Sequence, residues 1–201
     1  MPIYLTNETH VASQVVIADP RWLWFRPRIT RTIEAINCFV WHHTASEVTA
    51  KKLFQRMKLR RVNYHFVIDR DGLCFQMVAL NRQGSHAKKC NSRSVGIAFI
   101  SKGRAPSEPK VPRDSYPARV HGRYLTMLKP YPKQLETALL LVRELHTICK
   151  RVPRIVSLES GLLAPGDWLG HIKHSNVTIK KIDPGSYPME YLNENLGWNG
   201  Q

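Results

Sequence analysis

The chain has 201 residues, 43% of them hydrophobic and 22% charged, which is enough for one domain with a sizeable core. No apolar run approaches the ~20 residues that a membrane-spanning helix needs, and the opening MPIYLTNETH lacks the basic-then-apolar pattern of a secretory signal. The 30 Lys and Arg against 15 Asp and Glu give a net charge of +15, a surface that favours polyanions such as nucleic acid, anionic lipid, lipopolysaccharide or a cell-wall polymer.

Residues 1–35 read as an irregular arm, in which PRWLWFRPR, Pro20 to Arg28, is expected to pack its tryptophans on the domain, the alternative being a site for a sugar or an anion. INCFVW, Ile36 to Trp41, reads as a buried strand. In SEVTAKKLFQRMKLR, Val48, Leu53, Phe54 and Met57 form a partial helical stripe, with Ser46 as candidate cap. YHFVI and LCFQMV are short strands joined by DRDG, a hairpin-type turn. SVGIAFI, Ser94 to Ile100, is a strand buried on both faces.

Residues 102–123, rich in Pro and charge, read as a long loop. YPKQLETALLLVRELHTICKRV is the clearest helix, with Leu135, Ala138, Leu139, Val142, Leu145 and Cys149 at helical spacing. RIVSL is a further strand, and the segment after Gly161 is loop-like. Strands alternating with helices imply an α/β domain. The four cysteines, Cys38, Cys74, Cys90 and Cys149, form no C-x-x-C pair and are expected to be reduced.

FVWHHTAS, Phe39 to Ser46, ends an apolar run on two adjacent histidines. Successive strand side chains face opposite ways, so His42 and His43 cannot share one site while the strand persists. Of the nine histidines, His42, His43, His65, His86, His171 and His174 lie beside strand ends or in loops. A catalytic zinc takes three N, O or S ligands and keeps one position open. Two of these histidines with Asp183, in KKIDPG, would suffice. His65 alternates with Tyr64 and is expected to face away from it. His121 carries no assignment.

The motifs VWHHTAS, VNYHFVIDRDG, GSHAKKCNSRSVGIAFI, YPKQLETALLLVREL and GHIKHSNVTIKKIDPG, in that order, resemble the zinc-dependent N-acetylmuramoyl-L-alanine amidases, a family that includes short phage endolysins and the peptidoglycan recognition proteins. The resemblance runs from about residue 36 to 188. It implies an α/β fold with a central mixed β-sheet flanked by helices, a single catalytic domain over 36–201, and one zinc ion in a surface groove. Its ligands would be His42, His171 and Asp183. The spacing from His171 to Asp183 is longer than is usual in that family, so His174 competes with His171; Gly170 before His171 favours the latter.

The resemblance further implies hydrolysis of the amide between N-acetylmuramic acid and the L-alanine of the stem peptide. Lys181 would stabilise the oxyanion, and Tyr64 would orient water or donate to the intermediate. Some family members carry a glutamate where this chain has Ala98, so proton transfer would rest on Tyr64 and Lys181. His86, Thr44 and Asn91 would contact substrate. The expected partner is peptidoglycan, with an anionic outer-membrane or cell-wall polymer held by the basic surface and no specific nucleic acid. A monomer is expected, made in a bacterial host cytoplasm and acting on the wall after release. The alternatives are a recognition protein that binds peptidoglycan without cutting it and, on charge alone, a nucleic-acid-binding protein that lacks any recognised motif.

Overall fold

A computed structural model describes residues 2–5, 10–14, 16–17, 29–105 and 114–198. The Trp-rich segment Pro20 to Arg28 and part of the expected 102–123 loop lie outside the described residues. In chain order come β1 (Pro2–Tyr4), β2 (His10–Ala12), β3 (Val16–Ile17), β4 (Cys38–His43), α1 (Ala50–Arg60), β5 (Phe66–Ile68), β6 (Cys74–Gln76), β7 (Ser94–Phe99), β8 (Ser115–Val120), β9 (Arg123–Leu128), α2 (Pro132–Ile148), β10 (Gly170–Lys173), α3 (His174–Val177) and α4 (Tyr187–Leu196).

The central sheet is mixed, in the order β10-β4-β7-β5-β6-β3. β10, β4, β7 and β5 run parallel, β6 pairs antiparallel with β5, and β3 lies parallel to β6. β4 and β7 are buried on both faces, as parallel strands covered by helices must be. On one face Phe39, Trp41, Val95, Ile97 and Phe99 meet Leu141, Val142 and Leu145 of α2 and Met189 and Leu192 of α4. On the other, Val67, Ala98 and Ile100 meet Ala50, Leu53 and Met57 of α1. The helical stripes read from the sequence are the ones that bury.

Gln134, at the start of α2, is fully buried and donates from Nε2 to the carbonyls of Ile68 and Ile100 at 2.9 and 3.3 Å. It ties the helix to the ends of the sheet and satisfies carbonyls that would otherwise lie buried without a donor. α1 is capped differently from the expectation. The Asp69 carboxylate, brought over from the β5–β6 turn, accepts from the Ala50 N–H at 3.0 Å, while the Ser46 hydroxyl accepts from the Val48 N–H and from the Arg56 side chain.

Three expectations are corrected. The arm is not irregular throughout: β1 pairs with β2, β3 joins the sheet edge, and Ile3 and Val16 are fully buried. These strands are of two and three residues, too short to show a period of two. Within 102–123, residues 115–120 form a strand whose Tyr116, Ala118 and Val120 point inward and pair it with β9. RIVSL makes only a single bridge, Val156 to His171, and the sheet strand of that region is Gly170–Lys173.

Candidate metal centre

β4 and β10 run parallel in a register that sets Cys38 against Gly170, Phe39 against His171, Val40 against Ile172 and Trp41 against Lys173. The alternation of a strand then fixes which face each side chain occupies. Phe39, Trp41 and His171 share the α2 face. Val40, Ile172, His42 and, one step past the strand, His174 share the other.

His42 Nδ1 accordingly lies 3.0 Å from His174 Nδ1, and both lie 3.1 Å from the Asp183 carboxylate. His42 is fully buried, whereas His174 and Asp183 keep 7% and 6% of their surface exposed, so solvent reaches the trio through those two residues. The chain brings Asp183 here through α3, where the Ser175 N–H donates to the Asp183 carbonyl at 3.1 Å. Behind it, Tyr116 of β8 donates to the Pro184 carbonyl at 3.4 Å. Gly185, at φ +88°, has no room for a Cβ because the Tyr116 hydroxyl occupies that space.

The donor set fits a metal. Two imidazole nitrogens and a carboxylate oxygen sit at the corners of a triangle with sides of 3.0–3.1 Å. A tetrahedral zinc with bonds of ~2.0–2.1 Å has ligand–ligand edges of about 3.3 Å. Among the described residues it is the group of three or more His, Cys, Asp and Glu able to hold a metal ion. Burial, then the neighbouring His174, pushes the His42 pKa down to about 4, against the pull of Asp183. Burial would raise the Asp183 carboxyl, but the adjoining His174 and His42 rings outweigh it and hold the group well below the usual carboxylate range. Neutral imidazole and ionised carboxylate are the states a metal needs.

Residues 32–186 match the N-acetylmuramoyl-L-alanine amidase family. The chain belongs to that family. It is 28% identical over 127 residues to a peptidoglycan-recognition protein of Drosophila simulans, covering 54% of this chain and 68% of that one. Its fold is similar to that of the N-acetylmuramoyl-L-alanine amidase LysC from Clostridium intestinale URNW, with a TM-score of 0.60 at 20% identity over 92% of this chain and 98% of that one. It is also similar to human PGRP-IβC solved in complex with a glycosamyl muramyl pentapeptide, with a TM-score of 0.52 at 17% identity over 92% and 97%. The family assignment and the mixed-sheet fold bear out what the motifs implied.

Within this amidase-family fold, the expected ligand His171 is not at the centre. Its Nδ1 accepts from the Trp41 indole at 3.2 Å and its Nε2 lies 3.0 Å from His146 Nε2, all on the α2 face. His171 is a core histidine, neutral because burial holds its pKa well below the ordinary value. His43 also points away from His42. Its ring lies against Gly103, where a side chain would overlap it.

The ring of Tyr64 lies 4.9 Å from that of His42, and burial raises its phenol so that it stays protonated. Lys181 is exposed on the segment leading to Asp183, near enough for its charge to lower the pKa of His43. Ala98 lies beside His42 in register, so β7 brings no carboxylate to the trio. The three expected substrate contacts are engaged inside the protein. Thr44 donates to the Ser46 carbonyl at 2.8 Å and accepts from the Ser101 N–H at 3.3 Å. Asn91 accepts from the N–H groups of His86 and Ala87 at 3.1 and 2.7 Å. His86 Nδ1 lies 3.1 Å from His42 Nε2, on the side of the ring away from Asp183.

His65 faces the protein, as expected. Its Nδ1 accepts from the Gly96 N–H at 3.0 Å, which leaves Nε2–H to donate to the Arg82 carbonyl at 3.0 Å. The sequence reading missed Arg31. It donates to the carbonyls of Leu80, Asn91 and Ser94 and pins the His86 loop to the strands. A half-buried arginine in an arm carries no sequence signal of its partners. All four cysteines are free and buried, as expected.

Proposed function

We propose that the protein is a zinc-dependent N-acetylmuramoyl-L-alanine amidase of the endolysin kind. It would hydrolyse the amide between the lactyl group of N-acetylmuramic acid and the L-alanine of the stem peptide. The observation that carries this reading is the convergence of His42, His174 and Asp183 at 3.0–3.1 Å in a chain of the amidase family. A complete donor set favours cutting over mere recognition.

His42, His174 and Asp183 would hold the zinc, which would supply a water of lowered pKa and Lewis-acid polarisation of the scissile carbonyl. The chain's own residues supply the rest. Tyr64, protonated and beside His42, donates a hydrogen bond to the oxygen that gains charge as the amide is attacked. Lys181, exposed on the segment leading to Asp183, would add positive charge toward the same oxygen. With Ala98 beside His42, the proton transfers would rest on these two side chains, a proton given to the departing amine being replaced by the one that the attacking water releases.

Peptidoglycan as ligand accords with relatives solved with muramyl peptide and with the net charge of +15, which would hold an anionic wall or outer-membrane polymer. We place its synthesis in a bacterial host cytoplasm and its action at the wall after release.

The test is digestion of purified peptidoglycan followed by mass spectrometry of the soluble fragments, with a chelated sample and His42→Ala alongside. Free stem peptides beginning at L-alanine, lost in both controls, are expected. Wall binding without release by folded, zinc-loaded protein would overturn the enzyme reading in favour of recognition.

A further inference from the structure

The environment of His86 answers a question that the trio leaves open, namely why His42 presents Nδ1 rather than Nε2. A neutral imidazole carries its proton on one nitrogen and a lone pair on the other, and only the bare nitrogen can bind a metal. His42 Nε2 meets His86 Nδ1 at 3.1 Å, with the two rings nearly perpendicular. His86 Nε2 in turn lies 3.4 Å from Ser94 Oγ, and Ser94 Oγ lies 2.6 Å from the Cys90 carbonyl. The last group can only accept, so the polarity of the chain is fixed from its far end. The Ser94 hydroxyl donates to Cys90. Its oxygen then accepts from His86 Nε2–H, His86 Nδ1 is bare, and His42 carries its proton on Nε2.

The fold makes room for this ring. Gly96 and Gly84 floor it: a Cβ at Gly96 would lie 2.6 Å from the His86 ring, and one at Gly84 would lie 2.9 Å from it. Asn91 holds the His86 backbone.

Resting on the metal-centre reading above, we infer that His86 is a positioning residue for that centre. It accepts the His42 Nε2–H and so leaves His42 Nδ1 bare toward His174 and Asp183, with Ser94 and the Cys90 carbonyl setting the direction of the relay. Metal-bound histidines commonly donate their second N–H to a carboxylate or carbonyl. In this protein another imidazole takes that place, oriented by a serine.

The test is zinc affinity, measured by competition with a chromophoric chelator on full-length wild type, His86→Phe, His86→Asn and Ser94→Ala. His86→Phe keeps a ring over Gly96 but has no acceptor. His86→Asn places a carbonyl oxygen close to where Nδ1 stood. Affinity is expected to fall ~10–100-fold in His86→Phe, to recover most of that loss in His86→Asn, and to fall less in Ser94→Ala. Nitrogen-15 shifts of His42 in the wild type are expected to show Nε2 protonated. Wild-type affinity in a folded His86→Phe, or a His86→Asn no better than His86→Phe, overturns the inference while the metal centre stands. A wild type that takes up no zinc overturns both.

Discussion

His171 and His174 are three residues apart and lie on opposite sides of the sheet. The motif GH at Gly170–His171 draws attention to the wrong one, because it says nothing of strand parity. With β10 registered 132 positions from β4, as the pairing of Cys38 with Gly170 shows, His42 corresponds to His174. That register is a tertiary fact, and without it the long spacing to Asp183 was the only sign in the sequence that His174 competed. The two histidines should separate cleanly. His174→Ala is expected to lose stoichiometric zinc while remaining folded. His171→Ala should keep zinc but lose about 1–3 kcal/mol of stability in urea melts, because the buried Trp41 N–H is left without its acceptor. The reverse pattern would return His171 to the centre. Tyr64→Phe makes a second residue-scale test. It removes the phenol but not the ring, so kcat on a soluble muramyl peptide should fall ~10²-fold or more with zinc affinity unchanged. Unchanged kcat would relieve Tyr64 of its proposed part.

At the scale of elements, α1 and α2 were legible by their period of 3.6, and β4 and the β5–β6 hairpin by short apolar runs bounded by polar residues and a turn. The β8–β9 hairpin was not, since its Pro, Arg and Ser residues mask an alternation that only Tyr116, Ala118 and Val120 reveal. β10 is four residues long and offers too little pattern. Yet the hairpin bears on the site, because Tyr116 braces the turn after Asp183. Gly185→Ala would place a Cβ against the Tyr116 hydroxyl at φ +88°. It is expected to cost at least ~1–2 kcal/mol and to weaken zinc binding as Asp183 shifts. A melting temperature and a zinc titration both equal to wild type would show that the hairpin does not hold the ligand in place.

At the scale of the whole molecule, several buried or half-buried imidazoles are kept neutral. His42 and His146 are lowered to about 4, and His65, His86 and His171 well below the ordinary value, burial being the first cause in each. Below about pH 6.5 the unfolded chain binds protons that these groups refuse in the fold. The stability they contribute is therefore complete above that pH and is lost as pH falls toward their folded values. Asp183, whose carboxyl is held well below its ordinary value of 3.8, contributes stability that is complete above that value and is lost only as pH falls from it toward the depressed one, below this window. The melting temperature of metal-free protein should fall steadily from pH 7 to about 4.5, and a flat profile would contradict the buried neutral state. The net charge of +15 was legible from composition alone. It predicts that retention on purified wall weakens as salt is raised past ~0.15 M; salt-independent retention would assign binding to the groove instead.

The central claim is that His42, His174 and Asp183 form a zinc centre. The most direct measurement is anomalous diffraction at the zinc edge from crystals of the zinc-loaded protein. A single peak is expected within ~2.0–2.2 Å of His42 Nδ1, His174 Nδ1 and an Asp183 oxygen, with His86 Nδ1 still against His42 Nε2. No peak there, or a peak between His171 and His146, would contradict it.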